Sequence, residues 1–236
     1  MTDYEYVGEE LDLFQHAVNW KAYFHSRLAP HIRGEVLELG AGIGGTTRTL
    51  CDGNQASWLC AEPDGGMAER LRAAAREDPF PVEPEVLTGG VADLEPGRLF
   101  DSVLYIDVLE HIEDDRGELE RVKLHLKPGG KLIVLSPAFQ FLFSPFDAAV
   151  GHHRRYTART LAAVMPSDLE RVRLFYLDSV GMLTSLVNRF LLKQGTPGLD
   201  QIRLWDRVIV RVSRFVDPLT FYSFGRSVIG IYRRPS

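Results

Sequence analysis

The chain has 236 residues, of which 45% are apolar and 25% charged. That length suits one substantial domain, or one domain with a large insertion, and the composition excludes a disordered, coiled-coil or collagen-like chain. The formal net charge of −5 conceals an asymmetry: residues 1–149 hold 13 Lys and Arg against 26 Asp and Glu, whereas residues 150–236 hold 14 against 6. The C-terminal third is therefore expected either to face something anionic or to pair with the acidic part. No run of about 18 apolar residues occurs, so no membrane span is predicted. The acidic start lacks the basic region of an export signal, and Cys51 and Cys60 lie in no CxxC motif, so both read as buried thiols of a cytoplasmic protein.

Residues 10–29 place Leu13, Phe14, Ala17, Val18, Ala22, Phe24 and Leu28 at helical spacing, and Pro30 and Gly34 close that helix. A strand is predicted over 35–39, a helix over 46–51, a strand over 57–61 and a helix over 67–76. Three prolines make 78–84 a loop. A strand over 101–106 and a helix over 116–126 follow, the latter stopped by Pro128-Gly129-Gly130, then a strand over 131–135. Beyond it come a loop to Tyr156, a helix over 158–164 and strands over 171–177 and 227–232. Residues 178–225, between those two strands, are helical at both ends and broken at 195–198. Strands alternating with helices predict βαβ units and a parallel sheet.

The densest local signal is the run from Val36 to Thr46, Val-Leu-Glu-Leu-Gly-Ala-Gly-Ile-Gly-Gly-Thr. Glycines there allow a sharp turn and close approach of a ligand to the bare backbone. Alone, the run is ambiguous between GxGxxG, the dinucleotide fingerprint, and GxGxG preceded by an acid, Glu38. Glu62, at the tip of the second strand, suits a ribose diol in either case.

Four segments together, the glycine run, Ala61-Glu62-Pro63, the run from Phe100 to Asp114 containing Asp107-Val108-Leu109-Glu110-His111-Ile112, and Leu126 to Leu132, resemble class I S-adenosylmethionine-dependent methyltransferases over residues 34–137. The resemblance implies a Rossmann-like, doubly wound, mostly parallel seven-stranded sheet. Helices lie on both faces, the last strand is antiparallel and a helical insertion precedes it. It implies one domain: an N-terminal helical lid (1–33), a cofactor core (34–137) and an acceptor-side region (138–236) with the insertion at about 178–225. It also implies a cofactor site. Gly40, Ala41 and Gly42 pass under the methionine part of S-adenosylmethionine, and Glu38 orients its ammonium. Glu62 takes the ribose hydroxyls and Pro63 packs on the adenine. Asp93, with Leu94, accepts from the adenine amino group, and Asp107 and Val108 lie beside the sulfonium. His111 is read as holding its loop.

In an open α/β sheet the acceptor lies beyond the carboxyl ends of the strands. The loop there carries Phe139, Phe141, Phe143 and Phe146 as an apolar wall, then Gly151-His152-His153-Arg154-Arg155-Tyr156-Thr157. This stretch is similar to the GHxRRYT segment of a bacterial small-molecule methyltransferase subgroup. His153 and His152 belong to the residue type that exchanges protons near neutrality, which makes them the base candidates. Arg154 and Arg155 either grip an anion or pin the loop to acids such as Asp147. Arg203, Arg207, Arg211 and Arg214 share a helix face. The simplest reading of residues 199–216 is a solvated face over a core, and peripheral contact with an anionic membrane is the alternative.

The expected activity is methyl transfer to oxygen or nitrogen of a small acceptor, anionic by the charge argument, with no nucleic-acid partner. The alternatives are a cyclase that binds the cofactor without transferring methyl, and an RNA or protein methyltransferase. No His, Asp and Glu cluster has ligand spacing, so no metal is expected and activity should survive chelation.

Overall fold

The computed structural model describes residues 16–187 and 198–236. Its strands are β1 (Gly34–Leu39), β2 (Gln55–Glu62), β3 (Pro84–Thr88), β4 (Phe100–Ile106), β5 (Leu126–Pro137), β6 (Glu170–Leu177) and β7 (Ser227–Arg233). They form one sheet in the order β3-β2-β1-β4-β5-β7-β6. β7 runs antiparallel to both of its neighbours, and the pairs among β1 to β5 are parallel.

Alternation along each strand sends Val36, Trp58, Cys60, Leu104, Ile106, Ile133 and Leu135 to one face. Their neighbours Leu37, Leu59, Ala61, Val103, Tyr105, Leu132 and Val134 go to the other. Both faces are covered by helices, which is why these strands read as unbroken apolar runs. Each fully buried Val, Leu or Ile contributes about 1.5–3 kcal/mol of transfer free energy. The first face is covered by α1 (Val18–Leu28), through Trp20, Tyr23, Phe24 and Leu28, and by Leu71 of α3 (Gly65–Glu77), which follows the short α2 (Thr47–Leu50). The second face receives Leu119 and Val122 of α4 (Asp115–Lys123) and Leu161 of α6 (Ala158–Val164). Between these two lies α5 (Pro145–Ala149), inside the segment expected to be a plain loop.

Several boundaries differ from expectation. Residues 78–84 are not all loop, because Pro84 opens the edge strand β3, where a missing N–H is tolerated. The expected helix over 116–126 ends at Lys123, and Leu126 already belongs to β5. Pro128-Gly129-Gly130 is a bulge within β5: Phe100 pairs with Leu126, then Ser102 with Lys131. A Cβ on Gly130 would lie 2.8 Å from the Lys127 carbonyl oxygen and 3.0 Å from that of Phe100, so the bulge requires glycine. Leu13, Phe14 and the break at 195–197 lie outside the described residues.

The insertion between β6 and β7 comprises α7 (Ser179–Val187), α8 (Leu199–Leu204), a π-helical turn (Trp205–Ile209) and α9 (Val210–Leu219). Three buried carboxylates fasten it. Asp206, 2% exposed, accepts from Trp20 N at 2.8 Å and from Asn19 N and Nδ2 at 3.1 and 2.7 Å. The residue before α1 is Ala17, which has no side chain to cap it, so Asp206 satisfies those amides from across the fold. Asp217 accepts from Tyr23 Oη at 2.8 Å, Asp178 N at 2.7 Å, Ser179 N at 2.9 Å and the Ser179 hydroxyl. Asp178 accepts from Trp205 Nε1 at 2.8 Å and Ser213 Oγ at 2.6 Å.

Asp206→Ala removes the acceptors for the first turn of α1 and should lower stability by about 1–3 kcal/mol. Urea unfolding checks this through a lower midpoint with an unchanged slope.

Candidate active site

The turn after β1 leaves the sheet with Gly40 at φ +67° and Gly42 at φ +56°, a region that side chains rarely enter. Gly40 also packs so closely that a Cβ would meet Val108 Cγ2 at 2.5 Å. Gly40 N donates to the Ala61 carbonyl at 2.8 Å, and Gly42 N donates to Glu62 Oε2 at 2.7 Å. Glu62 Oε1 accepts from Asp64 N at 2.9 Å. The Glu62 carboxylate is thus buried behind the glycine turn and shapes it, while burial raises its pKa above the usual range.

Beneath the same turn lies Glu38, fully buried, accepting from Thr47 Oγ1 at 2.8 Å and Trp58 Nε1 at 2.9 Å. Burial outweighs those bonds and pushes its carboxyl up to about 7. Lys21 of α1 crosses over the turn and donates to the Gly45 carbonyl at 3.0 Å. Burial lowers its pKa, and the charges of Glu38 and Asp206 oppose that shift.

A cleft of about 200 Å³ opens over the carboxyl ends of β1, β4 and β5. Of the residues anticipated to bind the cofactor or to act as the base, Gly40, Ala41, Gly42, Asp107 and His152 line it. Asp107 ends β4 at φ +54°. Enclosure by the cleft walls pushes its carboxyl up to about 6, against the nearby charges of His152, Arg226 and Arg155. The other anticipated residues lie away from this space. Pro63 is exposed, Leu94 is buried, Val108 packs on Gly40, and exposed Asp93 accepts from Gly90 N at 2.9 Å.

On the acceptor side the two histidines separate. His152 lines the cleft, and its Nδ1 lies 2.9 Å from Asp147 Oδ1. His153 is exposed outside the cleft, and its backbone amide donates to the Glu110 carbonyl at 2.8 Å, which corrects its standing as a base candidate. The arginines pin the loop. Arg155 Nε and NH2 donate to the two oxygens of Asp147 at 2.8 and 2.9 Å, and Arg154 meets Asp115 at 2.6 Å. Burial alone would raise the Asp147 carboxyl, but His152 and Arg155 hold it well below the usual range. Tyr156 Oη donates to Asp115 Oδ2 at 2.7 Å and completes the brace. The expected phenylalanine wall reduces to Phe146, because Phe139 stacks on Tyr176 at 5.1 Å and Phe141 is exposed.

Three features were not anticipated. Arg226, just before β7, faces the cleft with its guanidinium 4.7 Å above the Trp205 ring, and no side-chain acceptor engages it among the described residues. Glu110 is 0% exposed at the cleft wall. One donor atom each from Glu110, His111 and His152 lies within 4.8 Å of the others, a cluster of the kind that the sequence reading had excluded. His152 comes from a distant loop, so no local spacing announces the group.

The basic helix also differs from expectation. Ile202, Trp205, Asp206, Val210 and Ser213 face the core and Arg203, Arg207, Arg211 and Arg214 are exposed, as expected, but large apolar side chains share the outward face with them. Leu204, Val208 and Val212 are exposed, with Phe215 77%, Leu219 78% and Phe221 88% exposed. No helix among the described residues is long and apolar enough to cross a membrane.

Comparison with known proteins agrees with this architecture. Residues 37–132 match a family model described as a methyltransferase domain. The N-methyltransferase NodS from Bradyrhizobium japonicum WM9 is similar in structure, with a TM-score of 0.57, 15% identity and coverage of 96% of this chain and 99% of that one. NodS is also known in complex with S-adenosyl-L-homocysteine. The [4+2]-cyclase SpnF aligns with a TM-score of 0.64 at 15% identity, over 97% of this chain and 95% of that one. A protein from Bacillus halodurans C-125 aligns with a TM-score of 0.62 at 14% identity, over 91% of this chain and 99% of that one. No curated protein sequence matches the chain. Residues 37–132 thus match a methyltransferase domain, and the sheet order with its antiparallel β7 and the glycine turn facing an acidic strand end give the chain the Rossmann-like fold of class I S-adenosylmethionine-dependent methyltransferases.

Proposed function

We propose that the enzyme methylates a small anionic acceptor at oxygen or nitrogen, with Arg226 as the acceptor's anchor. The observation that carries this reading is Arg226 itself. It is the cleft guanidinium stacked on an aromatic ring with no carboxylate bonded to it, and it lies over β5 and β7, across the cleft from the glycine turn. Arg154 and Arg155, by contrast, are spent on Asp115 and Asp147.

The cofactor half of the cleft fits a cation. Burial raises the Glu38 carboxyl beneath the turn and enclosure by the cleft walls raises that of Asp107, and both gain from a nearby positive charge. In this reading Gly40, Ala41 and Gly42 carry the methionine part, with Glu38 directed to its ammonium and Lys21 to its carboxylate. Glu62 takes the ribose hydroxyls, Pro63 and Leu94 flank the adenine, and Asp93 turns from its own amide cap to the adenine amino group. Asp107 and Val108 flank the sulfonium. The bound cofactor supplies an electrophilic methyl group; the protein's share is orientation, exclusion of water and removal of a proton. α1 and the insertion roof the cleft, which suits a small acceptor better than a polymer. The acceptor's proton leaves on the side of His152, whose ring Asp147 fixes; His153 takes no part. Cyclisation without methyl transfer would use the same cofactor residues, and mass spectrometry of the product distinguishes it by the absence of an added methyl group.

The exposed stripe from Leu204 to Phe221, flanked by Arg203, Arg207, Arg211 and Arg214, supports peripheral contact with an anionic membrane.

Glu62→Gln should weaken S-adenosylhomocysteine binding at least tenfold by calorimetry, because an amide cannot accept at both oxygens. Arg226→Met should raise the acceptor KM about 10–100-fold while leaving S-adenosylhomocysteine affinity within about twofold. Cosedimentation with phosphatidylserine-containing vesicles should be abolished by Phe215→Glu and weakened by salt.

A further inference from the structure

Glu110 presents a problem of buried charge. It follows β4 in a short 3₁₀ turn, is 0% exposed, and neither of its carboxylate oxygens has a hydrogen-bond partner among the described residues. The neighbouring Ser136 Oγ, also buried, lies near enough to lower the Glu110 pKa somewhat but makes no hydrogen bond of good geometry to it. Removing an ionised carboxylate from water without a partner is costly, and a cation beside it offsets that cost. The obvious protein cation, Arg155, already holds both oxygens of Asp147. Asp107, close by, adds negative charge rather than relieving it. Burial and Asp107 accordingly keep the Glu110 carboxyl well above the ordinary range.

Facing Glu110 are two imidazoles whose rings lie edge to face with centroids 4.5 Å apart. His152 gives Nδ1 to Asp147 Oδ1 at 2.9 Å, which leaves Nε2 as the nitrogen with the lone pair. His111 is bonded to the backbone carbonyl of Val150, and burial followed by the neighbouring histidines lowers its pKa to about 4. A carboxylate behind one imidazole and a backbone carbonyl behind another are the supports that orient histidine ligands on a metal.

We propose that Glu110, His111 and His152 form a binding site for a first-row divalent cation such as Zn²⁺ or Mn²⁺, with Asp147 as the positioning residue behind His152. The donor atoms lie within 4.8 Å of one another. Ligands at about 2.0–2.2 Å from a shared ion stand about 3.0–3.5 Å apart, so closure by at most about 1.3–1.8 Å completes the site. Two imidazoles with one carboxylate select such ions over Mg²⁺. Three protein ligands leave a position open toward the cleft. This deepens the proposed function and rests on it for its chemistry. An acceptor hydroxyl at the open position loses its proton to solvent water, and the cation stabilises the alkoxide. The oxygen lone pair then forms the new bond to the methyl carbon as the bond from carbon to sulfur breaks toward sulfur. His152 then acts as a ligand rather than a free base, and the expected indifference to chelators gives way to chelator sensitivity.

The test is calorimetry on chelator-treated, full-length protein titrated with Zn²⁺, with Co²⁺ absorption as a second readout of imidazole ligation. One equivalent should bind, and Glu110→Gln should weaken binding at least tenfold. Gln matches the shape of the protonated acid, so this variant should fold, as an unchanged melting temperature in the absence of metal would confirm. Asp147→Asn should also weaken the site, by about tenfold. Absence of Zn²⁺ binding, or binding unaffected by Glu110→Gln, overturns the proposal. S-adenosylhomocysteine titrated into the same metal-free protein separates the two readings. Binding of that ligand without a Zn²⁺ site leaves methyl transfer standing and removes the metal, whereas Zn²⁺ binding without it removes the methyl-transfer reading.

Discussion

The cleft depends on burying three aspartates where the insertion meets the sheet. Asp206, Asp217 and Asp178 accept the nine hydrogen bonds described above, from α1, the start of α7, Trp205 and Ser213, and Asp178 accepts one more from Gly181 N at 3.1 Å. A buried carboxylate is tolerable only when its oxygens are satisfied, and removing a partner leaves a desolvated charge. The three groups therefore fix where α1, Trp20 and Trp205 sit. Those rings, 5.8 Å apart, form the roof of the cleft, and Trp205 supplies the surface on which Arg226 lies.

From this follows the division of the cleft into halves of opposite character. Over β4 stands Asp107, and beneath the glycine turn lies Glu38; enclosure by the cleft walls raises the first carboxyl and burial the second, and a cation would relieve both. Over β5 and β7 stands Arg226, whose pKa burial lowers and which would be relieved by an anion. The loop between is electrically quiet despite its two arginines, because Asp147 and Asp115 have taken them. The basic excess of the C-terminal third is thus divided among internal pairs, an exposed apolar helix face and one cleft residue.

Much of the fold was legible in the sequence. Alternating apolar runs mark β1, β2, β4 and β5 because each residue of a doubly covered sheet is buried on one face or the other. The glycine turn is legible because Gly40 must hold φ +67° against Val108, and no other residue type fits. Boundaries failed where tertiary pairing overrode local punctuation. Pro128-Gly129-Gly130 looks like a helix stop but is a bulge that β4 holds in register, and Pro84 looks like loop but is tolerated on an edge strand.

The sequence by itself determined the sheet, the glycine turn and the order of the cofactor segments, since each is set by neighbours within a few residues. Only the tertiary structure decided the acceptor side. It brought His152 to Glu110 and His111, sent His153 outward, assigned Arg155 to Asp147 and left Arg226 facing the cleft. It also left Leu204, Val208, Val212 and Phe215 exposed beside the arginines of the basic helix. Those outcomes depend on which charges are buried together, and burial is a property of the packed chain that no local spacing records.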